Sequence, residues 1–200
     1  MAQIALFHSV LGVRRGITDA ANRLRGHGHE VVIVDQYNGR AFDDYGEAGQ
    51  YVAKIGFSAL MEAAVEGVAA LDDGFLCMGF SNGGGMAEYV ALHRQVGGVI
   101  LCSGTLPLNM LGASSWPQGV PAQIHYMVND PFRQEGWAES VAAAVRDAPA
   151  QVEFYEYPGT AHLFTDASLP AEFNEEASGA LWSRVVDFCN RPGASTIDSD

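Results

Sequence analysis

Gly74-Phe75-Leu76-Cys77-Met78-Gly79-Phe80-Ser81-Asn82-Gly83-Gly84-Gly85 is the stretch on which the fold turns. A short apolar run, suited to a buried strand, leads straight into a serine flanked by Gly79 and Gly83, and a helical pattern follows from about Gly84 to Gln95. A serine hydroxyl is a poor nucleophile unless a sharp turn exposes it and a base removes its proton. The G-x-S-x-G elbow meets the first requirement, because its glycines permit a tight strand-to-helix turn at the top of a sheet. A phosphate-cradling loop fits this stretch less well. The glycines fall in the third strand–helix unit instead of the first, and no Lys-Ser/Thr pair follows them.

Strand and helix signals alternate outward from the elbow. Strands are expected at 4–7, 30–34, 75–79, 99–102, 124–128 and 152–155, separated by helical patterns at about 16–25, 50–71 (broken near Gly56), 84–95, 134–146 and 174–188. The segments 36–49 and 107–121, rich in Gly, Asp, Ser or Pro, read as loops. This alternation predicts a mostly parallel central sheet with helices on both faces, in one domain over residues 1–190, followed by a flexible tail over 191–200.

In such a sheet, chemistry collects at the carboxyl ends of the strands, which sorts the histidines. His27 and His29 precede a strand, His93 ends a helix and His125 sits inside a strand, so only His8 and His162 lie at the productive edge. His162, in a loop after the last strand, can reach across to Ser81 as its base. Asp130 follows the strand at 124–128 and precedes Pro131, which favours an extended backbone there. An acid at that point can orient the imidazole and stabilise its cation. Asp35 also ends a strand but precedes the serine, whereas Ser81…Asp130…His162 has the order of an elbow-type hydrolase, leaving Asp35 a structural role. The backbone N–H of Asn82, at the helix start, is the first expected oxyanion donor, and that of Val10, in the turn after the first strand, the second.

Two hundred residues, 48% of them hydrophobic and 18% charged, describe a globular chain with enough material for one large core. Its net charge of −13, with no Lys/Arg-rich run, argues against nucleic acid and anionic membrane surfaces as partners. Cys77, Cys102 and Cys189 have no metal-ligand spacing and suit a reducing compartment. The first residues lack the charge and the length of a signal peptide, and no run approaches the roughly 20 apolar residues of a membrane span. A cytoplasmic protein without cofactor or metal is expected, as a monomer or homodimer.

The turn His8-Ser9-Val10-Leu11-Gly12, Val34-Asp35-Gln36-Tyr37, the elbow, Val128-Asn129-Asp130-Pro131, and Tyr157-Pro158-Gly159 leading into His162-Leu163-Phe164 together resemble the dienelactone hydrolase family. The likeness runs from about Ile4 to Phe188. It implies an α/β-hydrolase fold, compact and without a large cap, with a triad at Ser81, Asp130 and His162. Dienelactone hydrolases proper use a cysteine where this chain has Ser81, and a glutamate after the first strand where it has Ser9. An arginine that grips the substrate carboxylate is expected shortly after the histidine, where this chain reads Thr165-Asp166. These departures point to hydrolysis of a small neutral or cationic ester, lactone or thioester through an acyl-enzyme. Ser9, Tyr37, Phe80, Trp116 and Phe164 are the candidate pocket residues, with core packing the competing reading of each aromatic. A non-catalytic small-molecule binding protein on the same scaffold and another acyl-transfer enzyme are the alternatives.

Overall fold

The computed structural model describes residues 1–191. In chain order the elements are β1 (Gln3–Phe7), α1 (Arg15–Gly26), β2 (Glu30–Val34), α2 (Tyr45–Ile55), α3 (Phe57–Glu66), β3 (Phe75–Phe80), α4 (Asn82–His93), β4 (Val96–Cys102), a 3-10 turn (Leu108–Leu111), β5 (Ala122–Met127), α5 (Trp137–Asp147), β6 (Val152–Tyr157) and α6 (Glu175–Cys189). All six strands run parallel in the order β2-β1-β3-β4-β5-β6. The fold is that of an α/β hydrolase.

Both faces of the sheet are covered, which is why its strands read as continuous apolar runs without polar alternation. The period of two still assigns each side chain to a layer. Ile4, Leu6, Leu76, Met78 and Ile100 pack against α1 and α6 on one face. Ala5, Phe7, Phe75, Cys77 and Val99 pack against α3, α4 and α5 on the other. The three cysteines are free and buried. Among the described residues, no helix is long and apolar enough to cross a membrane.

Several boundaries differ from the expected ones, each for a local reason. The segment 36–49 is not loop throughout, because α2 begins at Tyr45, and the Asp44 side chain caps it by accepting from the Glu47 N–H. Gly56, at φ 90°, separates α2 from α3 and makes two helices of one helical pattern. Strand β4 starts at Val96, three residues early, because Val96 and Gly98 pair with Phe75 and Leu76 of β3, the register shifting past Gly97. A 3-10 turn interrupts the loop 107–121. Of the expected tail, Arg191 forms an ion pair with Glu153, and the rest lies outside the described residues.

Strand order locates the site. The chain builds β1, steps outward to β2, then crosses back over β1 to place β3, so the direction of winding reverses between β1 and β3. Crevices at the carboxyl ends of strands open at such reversals. Ser81 follows the last residue of β3, and the turn His8–Val10 follows β1.

Candidate active site

Ser81 joins β3 to α4 at φ 52° and ψ −117°, a backbone conformation that costs a non-glycine residue of the order of 1–3 kcal/mol. The surrounding glycines make the turn sterically accessible. A Cβ on Gly79 would stand 1.9 Å from the Gly83 carbonyl oxygen, and one on Gly83 would stand 2.4 Å from that of Phe7. The end of β1 therefore presses against the first turn of α4. Asn82 is the first residue of that helix, so its amide belongs to those that no intrahelical carbonyl can satisfy.

His162 and Asp130 meet Ser81 in a chain of short hydrogen bonds. The Nε2 of His162 is 2.7 Å from Ser81 Oγ, and its Nδ1 is 2.7 and 2.9 Å from the two carboxylate oxygens of Asp130. Nδ1–H donates to the acid, which leaves Nε2 free to accept from the serine hydroxyl. Asp130 is itself held, since its Oδ1 accepts from the Phe132 N–H at 2.8 Å. His162 and Asp130 are almost fully buried, whereas Ser81 is partly exposed.

The loop that carries His162 is fixed from several sides. Ser103, another positive-φ residue (54°), donates its hydroxyl to the His162 carbonyl at 2.7 Å. The Leu163 N–H donates to Glu172 Oε2 at 2.7 Å, and Glu172 Oε1 accepts from the Tyr45 hydroxyl at 2.8 Å. The Phe132 ring lies 4.6 Å from the imidazole, and the Tyr45 ring lies 5.1 Å from Phe132 and 6.2 Å from the imidazole.

A pocket of about 150 Å³ opens at Ser81, Asn82 and His162. Its walls are Phe57, Leu106, Tyr126, Phe132, Gln134 and Trp137, together with the main chain of 103–105, and no Lys, Arg, Asp or Glu lines it. These wall residues were missed in the sequence. The loops after β4 and β5 point to the same edge as Ser81, and that signal could have found Leu106, Phe132 and Gln134. Phe57, on α3, carries no such signal.

None of the five expected pocket residues lines the pocket at Ser81, although Ser9 and Phe80 line a smaller cavity beside Asp166. Ser9 is buried, and its Oγ accepts from the Leu11 N–H at 3.2 Å. Tyr37 packs edge-on against His8 and Tyr51, with centroids 4.5 and 5.1 Å away. Phe80 and Phe164 belong to the core layer under α1 and α6. Trp116 lies at the opposite edge of the sheet, beside Gly74 and Val96, where its indole N–H donates to the Val120 carbonyl. Strong hydrophobic burial, not the site, places all four aromatics. Val10 is in the turn that follows β1.

His8, His125 and Asp35 serve the framework. His8 is fully buried between the Ser9 carbonyl and the Gln36 N–H, and burial lowers its pKa. Asp35 accepts from the amides of Tyr37 and Gly39, closing a turn. His125 sits between Gln123 Oε1 and the Tyr157 hydroxyl, each at 2.8 Å, and burial drives its pKa down to about 3. Among the described residues, no group of three or more His, Cys, Asp or Glu side chains is placed to hold a metal ion.

The dienelactone hydrolase family model matches residues 2–192, almost the whole chain. The chain belongs to the dienelactone hydrolase family. As a member it is a hydrolase acting on ester bonds. Solved structures agree on the fold. A dienelactone hydrolase-like promiscuous phosphotriesterase from metagenomic libraries superposes with a TM-score of 0.80 at 16% identity, covering 94% of this chain and 85% of that one. The dienelactone hydrolase of Anabaena variabilis gives 0.65 at 16% identity, over 94% and 85% of the two chains. A hyperthermophilic esterase of the archaeon Pyrobaculum calidifontis gives 0.66 at 18% identity, over 94% and 75%. No curated protein matches the chain significantly in sequence.

Proposed function

We propose that this dienelactone hydrolase family member is a serine hydrolase of small, uncharged esters, lactones or thioesters, with Ser81, His162 and Asp130 as its catalytic triad. The observation that carries this reading is the unbroken relay from Ser81 Oγ through His162 to Asp130, with a distance of 2.7 Å on each side of the imidazole. His162 Nε2 takes the hydroxyl proton as Ser81 Oγ attacks the substrate carbonyl carbon. The negative charge that develops on the carbonyl oxygen is met by the N–H of Asn82, at the positive end of α4, and by that of Val10. The tetrahedral adduct collapses as His162 gives the proton to the leaving oxygen or sulfur, and the acyl group stays on Ser81. A water, deprotonated by the same nitrogen, then releases the acid.

The neutral pocket supports the substrate class. Where relatives that take anionic lactones are expected to present an arginine, this chain has Asp166, buried and accepting from the Ser168 amide and hydroxyl at 2.8 and 2.6 Å. Arg14, which lines a small cavity with Asp166, is committed to the Phe42 carbonyl, to Asp43 and, at 3.4 Å, to Ser168 Oγ. Three buried free thiols accord with a cytoplasmic location.

Hydrolysis of p-nitrophenyl acetate by the wild-type protein and by Ser81→Ala tests the proposal. The variant should remain folded and lose at least three orders of magnitude in kcat/KM. A fluorophosphonate should modify Ser81 alone. Equal rates in the two proteins, or an adduct on another serine, would refute it.

A further inference from the structure

Glu88 is a fully buried carboxyl that the proposed mechanism does not use. It lies on α4, seven residues after Ser81, and no cation is paired with it among the described residues. A buried, unpaired carboxylate would be very costly. Burial instead pushes the Glu88 carboxyl well above the ordinary range, toward the neutral acid. Its two oxygens differ in their surroundings. Oε2 accepts from the backbone N–H of Leu106 at 2.8 Å, while Oε1 is buried without a partner. An aliphatic residue would fill this buried place beside the loop after β4 without any such cost, so the carboxyl calls for a reason.

The bond to Leu106 supplies one. Leu106 closes the pocket around Ser81, in a loop whose residues 103–106 all line it. Its Cδ1 methyl packs over Gly85 of α4, where an added Cβ would come within 2.5 Å, and the Phe57 ring bounds the same spot at 3.6 Å. The preceding residue is tied to the sheet, because Thr105 Oγ1 and the Tyr126 hydroxyl lie 3.1 Å apart. Pro107 follows and donates no N–H. The Leu106 amide is thus the point at which the helix bearing Asn82 grips this wall of the pocket.

We propose that Glu88 is a positioning residue for substrate selection: by holding the Leu106 amide it fixes the Leu106 side chain as the end wall of the pocket and limits the length of the group bound there. The inference rests on the hydrolase reading and extends it. A space of 150 Å³ is about the size that accepts one benzene ring. A butanoyl or benzoyl group fits such a space, and an octanoyl chain meets Leu106.

The test uses the full-length protein as wild type, Glu88→Leu and Glu88→Gln, with Glu88→Met to refill the same volume if the leucine variant does not fold. Two substrate series separate the two sides of the ester: p-nitrophenyl esters from acetyl to octanoyl, and acetates of alcohols of the same lengths. In one series, the octyl-to-butyl ratio of kcat/KM should rise at least ten-fold in Glu88→Leu, mainly through KM. Turnover of the acetyl ester should stay within three-fold of wild type. Glu88→Gln keeps an acceptor for the amide and should keep the wild-type ratio. Hydrogen exchange at the Leu106 amide gives a readout that needs no catalysis, and it should speed up at least ten-fold in Glu88→Leu but not in Glu88→Gln. A folded Glu88→Leu or Glu88→Met variant with unchanged ratios in both series overturns the proposal. So does a Leu106 amide as protected as in the wild type. A wild-type protein that hydrolyses neither series, with the amide exchange behaving as stated, would instead count against the hydrolase reading.

Discussion

Replacing Asp130 with asparagine keeps the shape of the site and removes one charge. The carboxylate has two roles in the relay: it accepts Nδ1–H of His162 at 2.7 and 2.9 Å, and it faces the imidazolium that forms when Ser81 loses its proton. Both side chains are nearly free of solvent contact, at 4% and 0% relative exposure, so their attraction is little screened by water. For charge centres about 4 Å apart at an effective dielectric constant of about 20, the attraction is about 4 kcal/mol. That energy exists only once the imidazolium has formed, so its loss raises the barrier from the bound state and leaves ground-state binding alone. At about 1.4 kcal/mol per decade, kcat should fall about a thousand-fold. KM should change by less than about three-fold, since Asp130 does not line the pocket. Steady-state hydrolysis of p-nitrophenyl acetate measures both constants, and far-UV circular dichroism with a thermal melt establishes that the variant is folded. A folded Asp130→Asn protein whose kcat lies within ten-fold of wild type would refute the charge argument and the role given to Asp130.

Ser103→Ala removes the hydroxyl that holds the His162 carbonyl and leaves that acceptor buried, a loss of roughly 1–3 kcal/mol. The melting temperature should drop and kcat should fall about ten-fold as the base loosens, with an unchanged kcat refuting the tether. Gly83→Ala drives a methyl to within 2.4 Å of the Phe7 carbonyl oxygen, so β1 and α4 must part. Esterase activity should be lost even in protein that still melts cooperatively, and retained activity would show that the contact is slack. His125 is neutral in the fold, with its pKa depressed to about 3 from an unfolded value of about 6.5. Its contribution is therefore complete above about pH 6.5 and lost as the pH falls toward 3, by about 5 kcal/mol in all. Urea midpoints across that window should fall more steeply for the wild type than for His125→Gln, and parallel curves would refute the assignment.

The parts of this protein that the sequence makes legible are those ruled by short-range physics. Strand β2 appears at its expected bounds because Glu30-Val31-Val32-Ile33-Val34 is β-branched and closed off by Gly28 and Asp35. Ser81, Asp130 and His162 could be picked out because each follows the end of a strand, where parallel sheets gather their chemistry. The start of α2 was hidden by composition, since 36–49 is rich in Asp, Gly and Tyr. Yet Asp44 and Glu47 stand at the spacing of a helix cap, and that signal was there to be read. The pocket walls were not legible. Phe57, Leu106, Tyr126 and Trp137 come from α3, a loop, β5 and α5, and only the docking of these elements makes them neighbours. An aromatic side chain carries no local mark that separates a pocket wall from a core position, so Tyr37, Phe80, Trp116 and Phe164 attracted the assignment and the residues that line the pocket at Ser81 did not.

That division explains why reaction class and substrate class stand on different ground in this protein. The proposed reaction needs three groups whose spacing is set by the ends of β3, β5 and β6. The pocket proposed for the substrate is walled mostly by side chains on helices and loops. Asp166 illustrates the consequence. Gly16 leaves room for it, since a Cβ there would stand 2.2 Å from the carboxyl carbon, and the two serine donors hold it in place. Asp166 does not line the pocket at Ser81, and no cation does, so an anionic acyl group bound there would find no countercharge while Arg14 stays engaged by Asp43. Asp166→Arg alone should therefore gain little activity on an anionic lactone. The new side chain would have to displace the backbone near Gly16 as well as reverse the charge, and high activity of that single variant on such a lactone would show that charge alone, not packing around Gly16, excludes the substrate.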